Sequence, residues 1–185
     1  MRKNAEANRE RILLAAEAVF GEHGAAGSTE EVARRAGVGI ATVFRHFPTK
    51  DALVEAALLR HFAALDEQAA ALAAEGDPAD ALRRLVASMI ETGATKITLA
   101  SLVGERGDFP PSVKAAAEDL RETMAGILER AQSAGAVHED VSVDELYMLI
   151  RGLAQATATL PPPQATVRRA IDIVLRGLDA RHPAT

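Results

Sequence analysis

The stretch Val32-Ala33-Arg34-Arg35-Ala36-Gly37-Val38-Gly39-Ile40-Ala41-Thr42-Val43-Phe44-Arg45-His46-Phe47-Pro48-Thr49-Lys50 decides the fold. It holds four fixed positive charges (Arg34, Arg35, Arg45 and Lys50) and no acid. Two short helical patterns flank Ala36-Gly37-Val38-Gly39, which reads as a helix-turn-helix, a motif that lays one helix in the major groove of DNA. The chain around it is acidic, with a formal net charge of -5 over 185 residues. Residues 1–60 carry nine basic and eight acidic side chains, and residues 61–185 carry 12 and 18. The first part can therefore approach a polyanion, and the second is poorly suited to do so.

Working outward, apolar residues recur at helical spacing almost everywhere. Ile12, Ala16, Val19 and Phe20 share one face of a first helix, about 7–23, which Gly24 stops. Ser28-Thr29-Glu30-Glu31 has the form of a capping box opening a second helix that ends near Ala36. A third helix is predicted over Ile40–His46. A long fourth follows over about 50–74, with Thr49 as its cap. Asp77-Pro78 suits the start of a fifth helix running to about Thr95. Residues 96–110 read as a short helix plus loop. Further helices are expected from Pro110-Pro111 to Ser133, from Val143 to Thr159, and from Gln164 to Ala180, with Pro161-Pro162-Pro163 as a corner. The fold class is all-α. A three-helix DNA-binding domain is expected over 1–50, and a helical ligand-binding and dimerisation domain over 51–185.

Composition narrows the function. There is no cysteine, so disulfides, thiolate catalysis and cysteine-bound metals are excluded, and a reducing cytoplasm is the expected location. No stretch approaches 18 apolar residues and the N-terminus lacks an apolar signal core, so no membrane association is expected. His61, His138 and His182 are dispersed, no phosphate-cradling loop or nucleophile elbow is present, and no catalytic residue, cofactor or metal is expected.

The run from Arg9 to Leu53 resembles the DNA-binding domain of the tetracycline-repressor (TetR) family. It supplies Phe20, Gly24, Ser28, Ala36-Gly37-Val38, Thr42-Val43-Phe44, His46-Phe47, Lys50 and Leu53 at that family's spacing. Gly39 stands where a serine is usual, and Phe44 where the family has a tyrosine whose hydroxyl goes to a phosphate. The resemblance also implies a dimer formed through the last two helices and a small-molecule effector held among the middle helices.

On the third helix Val38, Val43 and Phe47 should point inward and lock it to its neighbours. A recognition helix enters the groove N-terminus first, so Ile40 and Ala41 can meet thymine methyls, Thr42 a phosphate or base edge, and Arg45 a guanine. Ser28 and Thr29 combine capping with phosphate contact. Lys50, at the start of the fourth helix, is placed for phosphate. His46 matches a groove-proximal position in the family. Arg34 and Arg35 read as solvated helix residues or added contacts, and Arg2, Lys3, Arg9 and Arg11 as further phosphate attraction. The DNA-binding set is Ser28, Thr29, Ile40, Ala41, Thr42, Phe44, Arg45, His46 and Lys50.

Two C-terminal helices carry broad apolar stripes. The expected dimer interface is Leu146, Ile150, Leu153, Val167, Ile171, Val174 and Leu178, forming a four-helix arrangement with a symmetry mate. The effector pocket implied by the resemblance would be lined by Met89, Thr92, Phe109, Met124, Leu128, Tyr147, Met148 and Arg151, with methionine for pliable contact and tyrosine for a polar tip. These features describe a homodimeric repressor of a palindromic operator in double-stranded DNA, released by a small-molecule inducer. An activator or DNA-organising protein would use the same head. An all-helical enzyme or carrier would need catalytic groups at spacings the chain does not offer.

Overall fold

Helix-forming residues with few β-branched runs produce helices throughout the computed structural model, which describes residues 2–74, 76–104, 108–159 and 162–180. Among them are nine α-helices and no strand: α1 Arg2–His23, α2 Thr29–Ala36, α3 Ile40–His46, α4 Lys50–Ala74, α5 Pro78–Glu91, α6 Gly93–Val103, α7 Pro111–Ser133, α8 Val143–Thr159 and α9 Gln164–Leu178. A 3-10 turn, Gly24–Ala26, follows α1, and an isolated antiparallel bridge joins Val137 to Asp179. His182 and Pro161 lie outside the described residues, as do the side chains of Arg2 and Lys3.

The chain forms two compact units. One comprises residues 1–62 and 95–115, the other 63–94 and 116–185. In the first, α1, α2 and α3 pack on one another. Ile12, Val19, Phe20, Val32 and Val43 are wholly buried and Phe47 nearly so, as their inward spacing requires. Val38 is only half-buried. In the second, α8 and α9 pack on α5 and on each other. Leu82, Leu85, Ile90, Leu120, Met124, Ile127 and Leu146 fill its core.

Helix ends follow local chemistry. Ser28 Oγ accepts from the Glu31 amide at 3.1 Å, and Asp77 accepts from Ala79 at 3.0 Å and Asp80 at 3.4 Å. The reciprocal arm of the expected box at Ser28 is missing, because the Glu31 carboxylate is held by arginines. A full box forms instead at α8, where Ser142 and Glu145 bond each other in both directions.

One expectation along the chain changes. The predicted fifth helix is two helices. Thr92 Oγ1 donates to the Ser88 carbonyl at 2.8 Å, competing with the ladder, and α5 stops at Glu91. The region read as a short helix plus loop has that form, α6 to Val103 followed by non-helical backbone at 104 and 108–110, and Gly93 at the start of α6 packs so closely on Ala154 that a side chain there has no room.

Candidate nucleic-acid interface

The turn between α2 and α3 is set by backbone geometry. Gly37 adopts φ 65°, the left-handed conformation that side chains disfavour, and its amide bonds to Arg34 O while the Val38 amide reaches Ala33 O. This double closure ends α2 and redirects the chain into α3. Gly39 then caps α3 with no side-chain bond, and a Cβ built on it meets nothing within 4 Å, so the first turn of α3 opens on solvent.

From that base α3 divides cleanly. Val43 is buried and Phe47, just beyond the helix, is 4% exposed, so both anchor it. Ile40, Ala41, Phe44 and Arg45 face out, with Ile40 37% and Phe44 44% exposed. Thr42 is half-buried. His46 is also half-buried, its ring 6.2 Å from that of Phe47. Ser28 and Thr29 are half-buried at the start of α2.

The charges of the basic island behave differently from their sequence reading. Arg34 donates to Glu31 at 2.8 and 2.6 Å. Arg35 donates to Glu31 at 2.8 Å and to both carboxylate oxygens of Glu22 at 2.7 and 2.8 Å. The hydrogen bonds from Arg34 and Arg35 pull the Glu31 carboxyl down to about 2, and those to Glu22 and Glu31 raise Arg35. These guanidinium groups are thus matched by carboxylates within the head rather than simply solvated.

Lys50 makes protein contacts that its sequence position did not announce. Its ammonium donates to the carbonyls of Ala25 at 2.9 Å and Gly27 at 2.6 Å, and lies 5.4 Å from the centroid of the Phe20 ring. It ties the start of α4 to the turn before α2. Arg45 alone of the four has no protein partner among the described residues. Arg9 stacks over the Phe47 ring at 5.5 Å, and Arg11 bonds Asn8 at 2.6 Å.

Sequence reading missed the Glu22 bridge, which joins residues 13 apart and has no local signature. The Glu31–Arg34 and Glu31–Arg35 pairs did have one, at i,i+3 and i,i+4. A larger network, also missed, joins α4 to α1: Arg60 donates to Glu10 and Glu17, each at 2.7 Å, and the buried His61 Nδ1 lies 3.7 Å from Glu17.

In the second unit the expected interface and pocket sets are redistributed. Leu146, Ile150, Ile171 and Leu178 are buried inside the protomer, because α8 and α9 turn these rows toward α5 and each other. Leu153, Val167 and Val174 are half-buried. The large apolar side chains left facing solvent among the described residues of α8 and α9 are Met148, at 67%, Leu149, at 38%, and Ile173, at 69%. Of the expected pocket set, Met89, Met124 and Leu128 are buried, and Thr92 and Tyr147 are half-buried. Phe109, half-buried, belongs to the first unit. Met148 and Arg151 are exposed, so they do not line an interior space with the others. The Tyr147 hydroxyl is buried with no hydrogen-bond partner, and burial pushes it up to about 12. A cleft of about 10 Å³, room for one water, lies between Leu82, Arg83, Val137, Leu178 and Asp179. Among the described residues no His, Cys, Asp and Glu group could hold a metal, and no helix is long and apolar enough to cross a membrane.

Comparison with known proteins bears on both units. Residues 12–57 match the family model of bacterial regulatory proteins of the tetR family, and residues 77–180 match the C-terminal domain of SbtR-like transcriptional regulators. A TetR transcriptional regulator from Streptomyces coelicolor is 31% identical, with a TM-score of 0.80, covering 92% of this chain and 98% of that one. A TetR regulatory protein from Mycobacterium vanbaalenii is also 31% identical, with a TM-score of 0.79 over 96% and 98% of the two chains. A transcriptional regulator from a Rhodococcus species is 26% identical, with a TM-score of 0.66 over 92% and 95%. No curated protein matches the chain.

Proposed function

The chain belongs to the TetR family of DNA-binding transcriptional regulators, and from that premise we propose that it is a homodimeric repressor of a palindromic operator, released by a small-molecule effector. One observation supports this reading above the others: α3 presents Ile40, Ala41, Phe44 and Arg45 outward from a framework fixed by buried Val43 and Phe47. A seven-residue helix anchored on one side and bare on the other has the form of a reading head. Thr42, Ser28 and Thr29 serve phosphate or base edges at its border, with His46 beside the backbone.

One such helix reads few bases, and a dimer doubles the site. The bare faces of α8 and α9, centred on Met148, Leu149 and Ile173, are where a second copy would seat. The half-buried Leu153, Val167 and Val174 would join that contact at its edge, and Leu146, Ile150, Ile171 and Leu178 would support it from within the protomer. The effector is expected among Met89, Thr92, Met124, Leu128 and Tyr147, where the Tyr147 hydroxyl offers an unmatched polar group. α4 contributes residues to both compact units, so a change at its second half reaches the head through the backbone. Half-sites must be engaged together, so a small change in spacing gives a large loss of affinity. The protein would act in the cytoplasm.

The test is selection of bound duplexes from a random pool, followed by footprinting. A short protected palindrome is expected, and loss of binding in Thr42→Ala/Arg45→Ala with helicity unchanged by circular dichroism. Broad, sequence-blind protection would instead indicate a DNA-organising protein.

A further inference from the structure

The exposed surface of α3 is mainly apolar. The described residues include six exposed large hydrophobic side chains, and two of them, Ile40 and Phe44, lie on this one helix of seven residues. They are four positions apart and therefore on the same face, with exposed Ala41 beside Ile40. Ile40 keeps 37% and Phe44 44% of its surface open to solvent. Hydrogen-bonding side chains on α3 are few. Thr42 is half-buried, His46 is half-buried beside the Phe47 ring, and Arg45 alone is both exposed and without a protein partner.

Around α3, three of the four cations of the basic island already have partners in the protein. Arg34 and Arg35 are matched by Glu31 and Glu22, and the Lys50 ammonium is engaged by two carbonyls. A head so arranged has to gain much of its discrimination from apolar contact. In the major groove the one apolar feature that base pairs present is the 5-methyl group of thymine. Phe44 has no hydroxyl to offer a phosphate, and its exposed ring suits that methyl.

We propose that α3 reads its half-site chiefly through thymine 5-methyl groups seated against Ile40, Ala41 and Phe44, with Arg45 fixing one guanine beside them. This makes Phe44 a specificity-determining residue and not a backbone contact. The inference rests on the operator-binding reading above and names what that operator contains: thymines adjoining a guanine in each half-site. Burying one methyl is worth about fourfold in affinity at the usual transfer value.

The experiment uses the full chain and an operator obtained by selection. Each thymine is replaced singly by deoxyuridine, which removes the methyl and leaves base pairing intact. Each guanine is replaced by 7-deazaguanine, which removes the N7 acceptor. For the wild-type chain, at least one symmetric pair of uracil positions should weaken binding by about fourfold per methyl. Ile40→Ala or Phe44→Ala should flatten the uracil effects and keep the 7-deazaguanine effect, and Arg45→Ala should do the reverse. All three positions are exposed, so circular dichroism should show an unchanged fold. Tight, sequence-selective binding with no uracil-sensitive position would overturn the inference and leave the operator reading standing. Failure to select any duplex would remove that operator reading, and the inference with it.

Discussion

At the scale of single residues, the head is governed by where its cations end. Lys50 donates a short hydrogen bond to Gly27 and sits against the Phe20 ring, so Lys50→Met should leave two carbonyls unmatched. A loss of about 1–3 kcal/mol is expected, read as a lower midpoint in thermal or urea unfolding. A pure phosphate ligand would leave stability untouched and weaken only DNA binding. Glu31 gives a second check. Arg34 and Arg35 hold its carboxyl at about 2, below the ordinary 4.5, so its contribution to stability is complete above about pH 4.5 and is lost as pH falls toward 2. Glu31→Gln should flatten that part of the stability profile. The same substitution releases Arg34 toward phosphate while Glu22 still holds Arg35, so the slope of log affinity against log salt should steepen by up to about one per head.

At the scale of elements, most boundaries could be read from the chain because capping residues mark them. Ser28, Thr49 and Asp77 begin helices where their oxygens find amides, and α3, α4 and α8 have the limits expected of them. The split between α5 and α6 was not legible, because a threonine bonding back to its own helix looks in sequence like any helical threonine. Burial of the rows on α8 and α9 was also hidden. Periodicity places Leu146 and Ile150 on one face of α8 and Ile171 and Leu178 on one face of α9, but not whether those faces meet the same chain or another. α3 was legible because its inward anchors, Val43 and Phe47, fall at fixed spacing, whereas Glu22 and the carbonyls that hold Lys50 are remote in sequence from their partners. The Gly37 turn depends on a backbone conformation that side chains disfavour. Gly37→Ala forces a side chain into a left-handed conformation and should cost about 1–2 kcal/mol, measured by chemical denaturation, without altering any exposed side chain of α3.

At the scale of the whole molecule, the proposed repressor needs two heads acting together. If Met148 and Ile173 seat a second copy, Met148→Glu combined with Ile173→Glu should yield a monomer in sedimentation analysis while helicity is kept. Operator affinity should then fall by about a hundredfold or more, since the second half-site must be found independently. A dimer that survives both charges would place the assembly elsewhere on the chain.

The chain has no tryptophan and one tyrosine, Tyr147, whose hydroxyl is buried. Ultraviolet emission from this protein therefore has a single dominant source, and it sits on α8, away in sequence from the reading helix. Quenching or brightening on mixing with a small molecule would report on that one phenol without any label. Its high proton affinity keeps it neutral until about pH 12, so the signal can be followed across the whole working pH range with no tyrosinate background.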